Sequence, residues 1–515
     1  LSDEVDRGIT VTELAPMDQA IDVSRETTAA FVGRTLRGPL NQPVLVGNFG
    51  EFKRRFGESW ARSSLGPAIH QFFEHGGRRL YIVRVANNAR GALLCLPANG
   101  SALVLRAREP GSSEAIRAAI DFDRIADDDT DSFNLTLQRL DPETGFVVDQ
   151  EIYEGASWRT CSDAFIGDSL ASSGIAFLER PWPTQRPEAT SGGERPFADA
   201  YVSATQPGTD GQELSDYDLV GSRRAATGLF ALRHVEDVDL LYLPPPGKGR
   251  DPGPAAIVAA DLFCRKRGAM LIIDPSGTWA TPAQAIAGVR GLGLASPNAI
   301  SYFPRLSACD EDAPTGRAVG GALAGLLCKL DRTCGPWHRL DRRDTGFARR
   351  LRPVVAVDDE MAEQLNRAGL NVIAAGPAGR AFLRGSVTMG RGGESHPGFS
   401  SLAVRRSCLN ILNAIERATR WSVFEADSAN VAERIESQVT AYFESLVACG
   451  AVANGHYRVT CESTGDPGGG GRRVLISIVF QPAGSREPIA FRLCHDASGC
   501  RLLATAFPPP MQYCA

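Results

Sequence analysis

"VDLLYLPPPGKGRDPGPAAIVAADLFCRKRGAMLIIDP" (Val238–Pro275) holds two short apolar runs, each closed by Pro, on either side of a longer amphipathic one. Runs of four to seven apolar residues bounded by turn signals read as strands buried on both faces. The middle run, Ala255–Gly268, has helical spacing and ends in Arg265, Lys266, Arg267 and Gly268. Cations suit the negative end of a helix dipole, and Gly suits its C-terminal stop. "TPAQAIAGVRGLG" (Thr281–Gly293) then reads as a helix and "NAISYFP" (Asn298–Pro304) as a third strand. Strand, helix, strand, helix, strand in this order implies parallel pairing with right-handed crossovers. The fold class is therefore α/β, with a core of parallel-sheet βαβ units. "AVGGALAGLLCKLDRTCG" (Ala318–Gly335) reads as one more helix.

Towards the N-terminus the same alternation recurs. "TTAAFVGRTLRGPLNQPVLV" (Thr27–Val46) gives a strand, a Gly-Pro turn and another strand. "NFGEFKRRFGE" (Asn48–Glu58) and "LGPAIHQFFEHGG" (Leu65–Gly77) are helical, and "RLYIVRV" (Arg79–Val85) is a strand. Composition changes after Asn87. Residues 92–212 read as short strands, among them "FNLTLQRL" (Phe133–Leu140) and "FVVDQEIYE" (Phe146–Glu154), joined by the turn "DPETG" (Asp141–Gly145). This is an inserted β-rich domain. Beyond Ser400 come two long helices, Ser401–Trp421 and Asn430–Gly450, and then strands "HYRVTCE", "RVLISIVF" (Arg473–Phe480) and "PIAFRLCH" (Pro488–His495). The division expected is an arm (1–26), a first core part (27–91), the insertion (92–212), a second core part (213–399), a C-terminal inner domain (400–486) and a C-terminal arm and tail (487–515).

The chain has 515 residues, 43% apolar and 22% charged, with a net charge of −5. That charge is too small to argue for nucleic-acid binding. The longest apolar stretch, Ala318–Cys328, falls short of the roughly 20 residues of a membrane span. No charged segment followed by an apolar one opens the chain, so no signal peptide is expected. The chain opens on Leu, so residues before it are expected to be missing. The twelve Cys lack regular spacing and read as free thiols in a reducing compartment.

A search for catalytic chemistry yields little. "PPPGKGRDPG" (Pro244–Gly253) sits between strand and helix, where a phosphate loop belongs, but lacks the four-residue gap before Gly-Lys and the Ser/Thr after it. "DFDRIADDDTDSF" (Asp121–Phe133) has Ala126 and Ser132 where a calcium loop needs Gly and Glu. Cys328, Cys334 and His338 are wrongly spaced for a zinc knuckle. His70 and His75 lie on one short helix, and Asp274, at a strand end, reads as a carboxylate candidate or as a cap. Nothing assembles a nucleophile, base and oxyanion donor. The chain is not expected to be an enzyme, and no cofactor or metal is expected; an α/β-fold enzyme is the remote alternative.

Set in order, several segments resemble the contractile tail sheath proteins of bacteriophages and related contractile injection systems. They are "GITVTEL" (Gly8–Leu14), "TTAAFVGRTLRGPLNQPVLVGNFGEFKRRFG" (Thr27–Gly57), "AIHQFFEHGGRRLYIVRV" (Ala68–Val85), "FNLTLQRLDPETGFVVDQEIYEGAS" (Phe133–Ser157), "LNRAGLNVI" (Leu365–Ile373) and "VRRSCLNILNAIERATRWSVFEADS" (Val404–Ser428). "RAFLRGSVTMGRGG" (Arg380–Gly393) departs from the family, which commonly has a Trp-Gly-x-Arg-Thr segment there.

The resemblance implies a sheath core, an outward-facing insertion and extended terminal arms. It implies a structural subunit that polymerises as six-fold rings around an inner tail tube, meets baseplate and tail terminator proteins, and contracts to drive the tube through a bacterial envelope for genome delivery. Assembly in the host cytoplasm and residence in the virion go with that reading. The alternative is the sheath of an extracellular or secretion-type injection system or a tailocin. In this family, edge strands are exchanged between subunits by β-augmentation. The residues expected to exchange are Ile9, Thr10, Val11, Thr12 and Leu14 in the N-terminal arm, and Ile489, Phe491 and Leu493 near the C-terminus, the latter with a neighbour or in a hairpin with Val474–Phe480. Arg405, Arg406, Arg417 and Arg420 are the candidates for contact with the tube, against the alternative that they form salt bridges inside their own subunit.

Overall fold

The computed structural model describes residues 20–190, 200–247, 249–308, 316–340, 345–376, 380–392, 397–423, 430–465, 472–496 and 499–506. The chain opens with β1 (Ala29–Gly33), β2 (Pro43–Val46), α1 (Phe49–Phe56), α2 (Leu65–Glu74) and β3 (Leu80–Arg84). Next come β4 (Leu93–Ala98), β5 (Ser101–Ala107), β6 (Ala115–Asp121), β7 (Ser132–Leu140), β8 (Val147–Ser157), the single turn α3 (Ile166–Ser169), β9 (Ala176–Leu178) and β10 (Val202–Ser203). The α/β alternation resumes with α4 (Asp216–Val220), β11 (Leu240–Tyr242), α5 (Pro254–Arg267), β12 (Met270–Ile273), α6 (Pro282–Leu292) and β13 (Ala299–Phe303). It continues through β14 (Leu306–Ala308), α7 (Gly320–Cys334), β15 (Leu351–Pro353), α8 (Asp359–Arg367), β16 (Asn371–Ala375) and β17 (Ala381–Arg384). The last part is α9 (Leu402–Ala418), α10 (Val431–Ala448), β18 (Val452–Gly465), β19 (Arg472–Pro482), β20 (Ile489–Asp496) and β21 (Gly499–Ala506).

The centre is an eight-stranded sheet in the order β17-β16-β13-β12-β11-β1-β3-β2. Its six inner strands are parallel, and the two edge strands are antiparallel to their neighbours. The α/β class with a parallel sheet is as expected. Burial on both faces explains the unbroken apolar runs: every residue of β1, β11, β12 and β13 is buried. β1 and β2 are not paired with each other; β3 lies between them. On one face, α7 lies against α2 with almost no space between the backbones. A Cβ on Gly321 would stand 2.2 Å from the Ala68 carbonyl oxygen, and one on Gly325 would stand 2.3 Å from that of Phe72. The small residues of "AVGGALAGLLC" therefore serve a helix crossing.

Two small antiparallel sheets, β4-β5-β9 and β10-β6-β7-β8, interrupt the main sheet between β3 and β11. They share one apolar core, built from the alternate residues Leu103 and Leu105, Ala118 and Ile120, and Phe133, Leu135 and Leu137. The turn Asp141–Gly145 closes β7 onto β8. The Asp141 carboxylate accepts from Glu143 N and Thr144 N, and Gly145 takes φ +71°.

The joint between these sheets and the core is polar and buried. Arg84, 2% exposed at the end of β3, donates to the carbonyls of Gly38 (2.6 Å), Leu36 (3.3 Å) and Pro110 (2.5 Å). Arg34, beyond the end of β1, donates to the carbonyls of Asp210 and Gly211. Glu109 accepts from Gly38 N, and Arg37 stands 3.6 Å from Asp141. Arg139 Nε lies 2.8 Å from Glu114, whose side chain is 4% exposed, but off the hydrogen-bonding direction, so that neither atom has a hydrogen-bond partner.

Candidate functional site: the arm root and the C-terminal unit

In the C-terminal unit two helices cover one face of the sheet β18-β19-β20-β21. The strands alternate, and their inward residues meet in register: Ile476 opposite Leu493, Ile478 opposite Phe491, Phe480 opposite Ile489. These six are buried against Cys408, Ile411 and Ile415 of α9 and Ile435, Val439 and Phe443 of α10. The Phe443 and Phe480 rings are 5.4 Å apart.

Ile489, Phe491 and Leu493 are thus core residues, and β20 is hydrogen-bonded on both sides within its own chain, to β19 and to β21. The hairpin with Val474–Phe480 forms, and in this chain β20 has no edge left for a neighbour. Two apolar alternations facing two helices bury more surface together than either would alone. The sheet's outer strands are β18 and β21, and β21 lies in the expected C-terminal arm and tail, 487–515. Ile9, Thr10, Val11, Thr12 and Leu14 lie outside the described residues.

The chain enters this unit from its N-terminal side. Ile21 is buried in the same core, and Val23 packs against it. Arg25 pairs with Asp239 at 3.0 Å, and Thr28 N donates to the other oxygen of that carboxylate at 2.9 Å. Thr27 Oγ1 donates to Asp331 Oδ2 at 2.5 Å, and Arg406 of α9 binds the same oxygen. Asp331 and Arg406 are 4% and 7% exposed. Burial pushes the Asp331 carboxyl up, against the pull of Arg406 and of the Thr27 hydroxyl. Asp331 Oδ1 is buried without a hydrogen-bond partner, and the small cavity it lines, about 20 Å³, also touches Asp239, Asn410 and Asn413. The root of the arm, the start of β11, the end of α7 and helix α9 are therefore tied at one charged knot.

Three of the four arginines expected to face a tube have partners inside the chain. Arg405 donates from Nε and Nη2 to Asn298 Oδ1, at 3.1 and 2.7 Å, and lies over the Phe399 ring; burial lowers its pKa. Arg406 holds Asp331. Arg417 is half-buried, its pKa lowered chiefly by burial and by Arg25. Arg420 pairs with Glu236 at 2.5 Å and Glu416 at 3.3 Å. The salt-bridge alternative describes Arg406 and Arg420. Arg406 is buried because α9 packs into two cores, with Leu402 and Leu409 in that of the main sheet and Cys408, Ile411 and Ile415 in that of the C-terminal unit, so its buried arc is wider than one stripe.

The remaining candidates have structural partners. Asp274 accepts from Val319 N and Gly320 N, both at 2.9 Å, and from the Tyr242 hydroxyl, so it caps α7. His75 bonds the Gln71 carbonyl through Nδ1 and accepts from Ala348 N at Nε2; burial lowers its pKa. The N-terminus of α5, where a phosphate would sit, is taken by the Asp216 carboxylate, which accepts from Gly253 N (2.8 Å) and Ala256 N (3.2 Å). Among the described residues no group of three or more His, Cys, Asp or Glu could hold a metal.

No protein-family model matches the chain, and no curated protein does. Solved structures do. A sheath tail protein from Listeria innocua superposes with a TM-score of 0.61 at 14% identity, over 92% of this chain and 96% of that one. This is the fold of the contractile tail sheath proteins. A second sheath tail protein, from Desulfitobacterium hafniense, gives a TM-score of 0.52 at 15% identity, over 95% of this chain and 99% of that one. The sheath fold thus extends over the inserted sheets and the C-terminal unit as well as the α/β core. The resemblance noted in the sequence holds at the level of fold, without the Trp-Gly segment, where β17 and the turn after it stand. No described helix is long and apolar enough to cross a membrane.

Proposed function

We propose that the chain is a structural subunit of a contractile sheath. Copies polymerise as stacked rings around an inner tube, against a baseplate at one end and a terminator at the other, and shorten to drive the tube through a bacterial envelope. The observation that carries this reading is the match over 92% of the chain to a sheath tail protein, insertion and C-terminal unit included. Contraction needs no cofactor on this reading; it needs contacts that differ between two states, because an equilibrium moves only by differential interaction.

The N-terminal strand, Ile9–Leu14, is the part proposed to pair with a neighbour's sheet. Support comes from the anchoring of its root at Arg25–Asp239 and Thr27–Asp331, which would hold a pulled arm to the body. Each strand hydrogen bond contributes about 0.5–1.5 kcal/mol net, so four to six of them hold a junction by several kcal/mol. Arg405 and Arg406 are engaged inside the chain, so the tube contact is proposed to use Arg417, Arg420 or other residues of the C-terminal unit. We read the particle as a phage tail delivering a genome; capsid and terminase genes beside this one support that, and toxin and ATPase genes overturn it in favour of an extracellular or secretion-type system. Negative-stain imaging of the purified full chain tests the main reading. Tubes are expected, and removal of residues 1–14 is expected to leave folded monomer without tubes. Full-length tubes from the truncated chain would refute the arm proposal.

A further inference from the structure

Among the described residues, large apolar side chains exposed to solvent gather at several places, Leu502 and Leu503 of β21 being one, and two of the others differ in charge. On β8, Val148 and Ile152 are 57% and 58% exposed, and Phe146, just before the strand, is 75% exposed. Val147 is 43% exposed as well, and a bulge between Val147 and Asp149 breaks the alternation there, so exposed apolar side chains crowd the start of the strand. β8 is the outer strand of its sheet, and Asp149 and Glu154, both exposed, have no ion-pair partner among the described residues. The second place is the surface of α4 and α5. Tyr217 is 84% exposed, and Val258 and Leu262, one helical turn apart, are 42% and 52% exposed. Its rim is cationic. Arg223, Arg224 and Lys266 are exposed without an ion-pair partner among the described residues, whereas the neighbouring acids are engaged: Asp216 caps α5, Asp218 closes the capping box of α4, and Asp261 holds Arg265.

Each patch is ill-suited to a second copy of itself, because its own charges would meet. Each suits the other, apolar against apolar and acid against base. We infer that the outer face of β8 in one copy packs on the α4–α5 surface of a second copy. The contact joins two different surfaces and is therefore heterologous; repeated, it generates a ring or an open helix rather than a closed dimer. The inference rests on the sheath reading and names one surface pair within it: the insertion of one subunit reaches the core of the next. The edge strand β8 is then covered in the polymer, which removes the hazard of a long exposed apolar edge.

Cysteine cross-linking in assembled polymer tests this. Val148→Cys and Leu262→Cys are introduced together and singly in the full chain, tubes are confirmed by negative stain, and the samples are oxidised. The double variant is expected to give a ladder of dimers, trimers and higher species. The single variants are expected to stay at the level that the native cysteines give in wild-type tubes, Cys161, Cys334 and Cys449 being exposed among the described residues. Independently, Val148→Asp with Ile152→Asp, at exposed positions that folding does not depend on, is expected to raise the protein concentration needed for tubes about tenfold or more, the equivalent of about 1.4 kcal/mol per contact. Absence of tubes from the wild-type chain would overturn the sheath reading and this contact with it. Wild-type tubes, with no ladder above the single variants and an unchanged assembly threshold in the Asp variant, would overturn this contact alone.

Discussion

Glu114 is the most informative residue to perturb, because it places a carboxyl inside the joint between the inserted sheets and the core. Its side chain is 4% exposed. Burial pushes its pKa up from 4.5 to about 7, with Glu109 adding to the rise and Arg139, Arg84 and Arg37 opposing it. Asp141, Asp210 and Arg34 also stand at the joint. The sign follows from proton linkage. Between about 4.5 and 7 the closed joint holds a proton that the opened one releases, so the closed state loses stability as pH rises through that window. Above about 7 the ionised carboxylate costs the closed joint roughly 3 kcal/mol relative to its neutral form.

Glu114→Gln is neutral at every pH and nearly isosteric, so it removes this dependence. Hydrogen exchange of β6 and β7 amides, corrected for intrinsic rates, reads the opening. Protection in the variant relative to wild type is expected to rise between about pH 5.5 and about pH 8 by roughly 2 kcal/mol, some thirtyfold. Glu109→Gln, at the same joint with its acceptor facing Gly38 N, is the comparison and should not abolish the wild-type dependence. A protection ratio that stays flat with pH would refute the reasoning. So would a variant that becomes less protected as pH rises, since that would make the Glu114–Arg139 pair a net stabiliser.

Two further perturbations follow from the packing. Arg406→Met leaves the Asp331 carboxylate buried beside an already unpartnered oxygen; it should destabilise the chain by about 3–5 kcal/mol in urea unfolding, and a loss below about 1 kcal/mol would show that the knot at the arm root is not held by this pair. Gly321→Ala must push α7 away from the α2 backbone and should lower stability by about 1–3 kcal/mol, whereas Gly291→Ala, on α6 with nothing within 4 Å, should raise it by about 0.5–1 kcal/mol; equal effects would contradict the close crossing.

The sequence by itself determined the α/β class. Strands buried on both faces need unbroken apolar runs, and the helices between them need a 3.6-residue period with a terminal Gly; both patterns are local, and both are written at 238–304. The hairpin turn Asp141–Gly145 was legible for the same reason, since its chemistry lies within five residues. The order of segments also carried the resemblance to sheath proteins, which the superposition bears out as fold.

Tertiary structure decided what depends on a second surface. Nothing near Arg405 or Arg406 in sequence announces Asn298 or Asp331, so the sequence left open whether these arginines face a tube or pair inside their own subunit. Ile489, Phe491 and Leu493 alternate as any edge strand would, and only the presence of β19 on one side and β21 on the other made them interior. The Asp216 carboxylate at the N-terminus of α5 and the Gly321 crossing against α2 are likewise contacts across long loops. A one-dimensional pattern states which residues prefer to be buried; which partner buries them is fixed only when distant segments compete for the same surface, and that competition is settled in three dimensions.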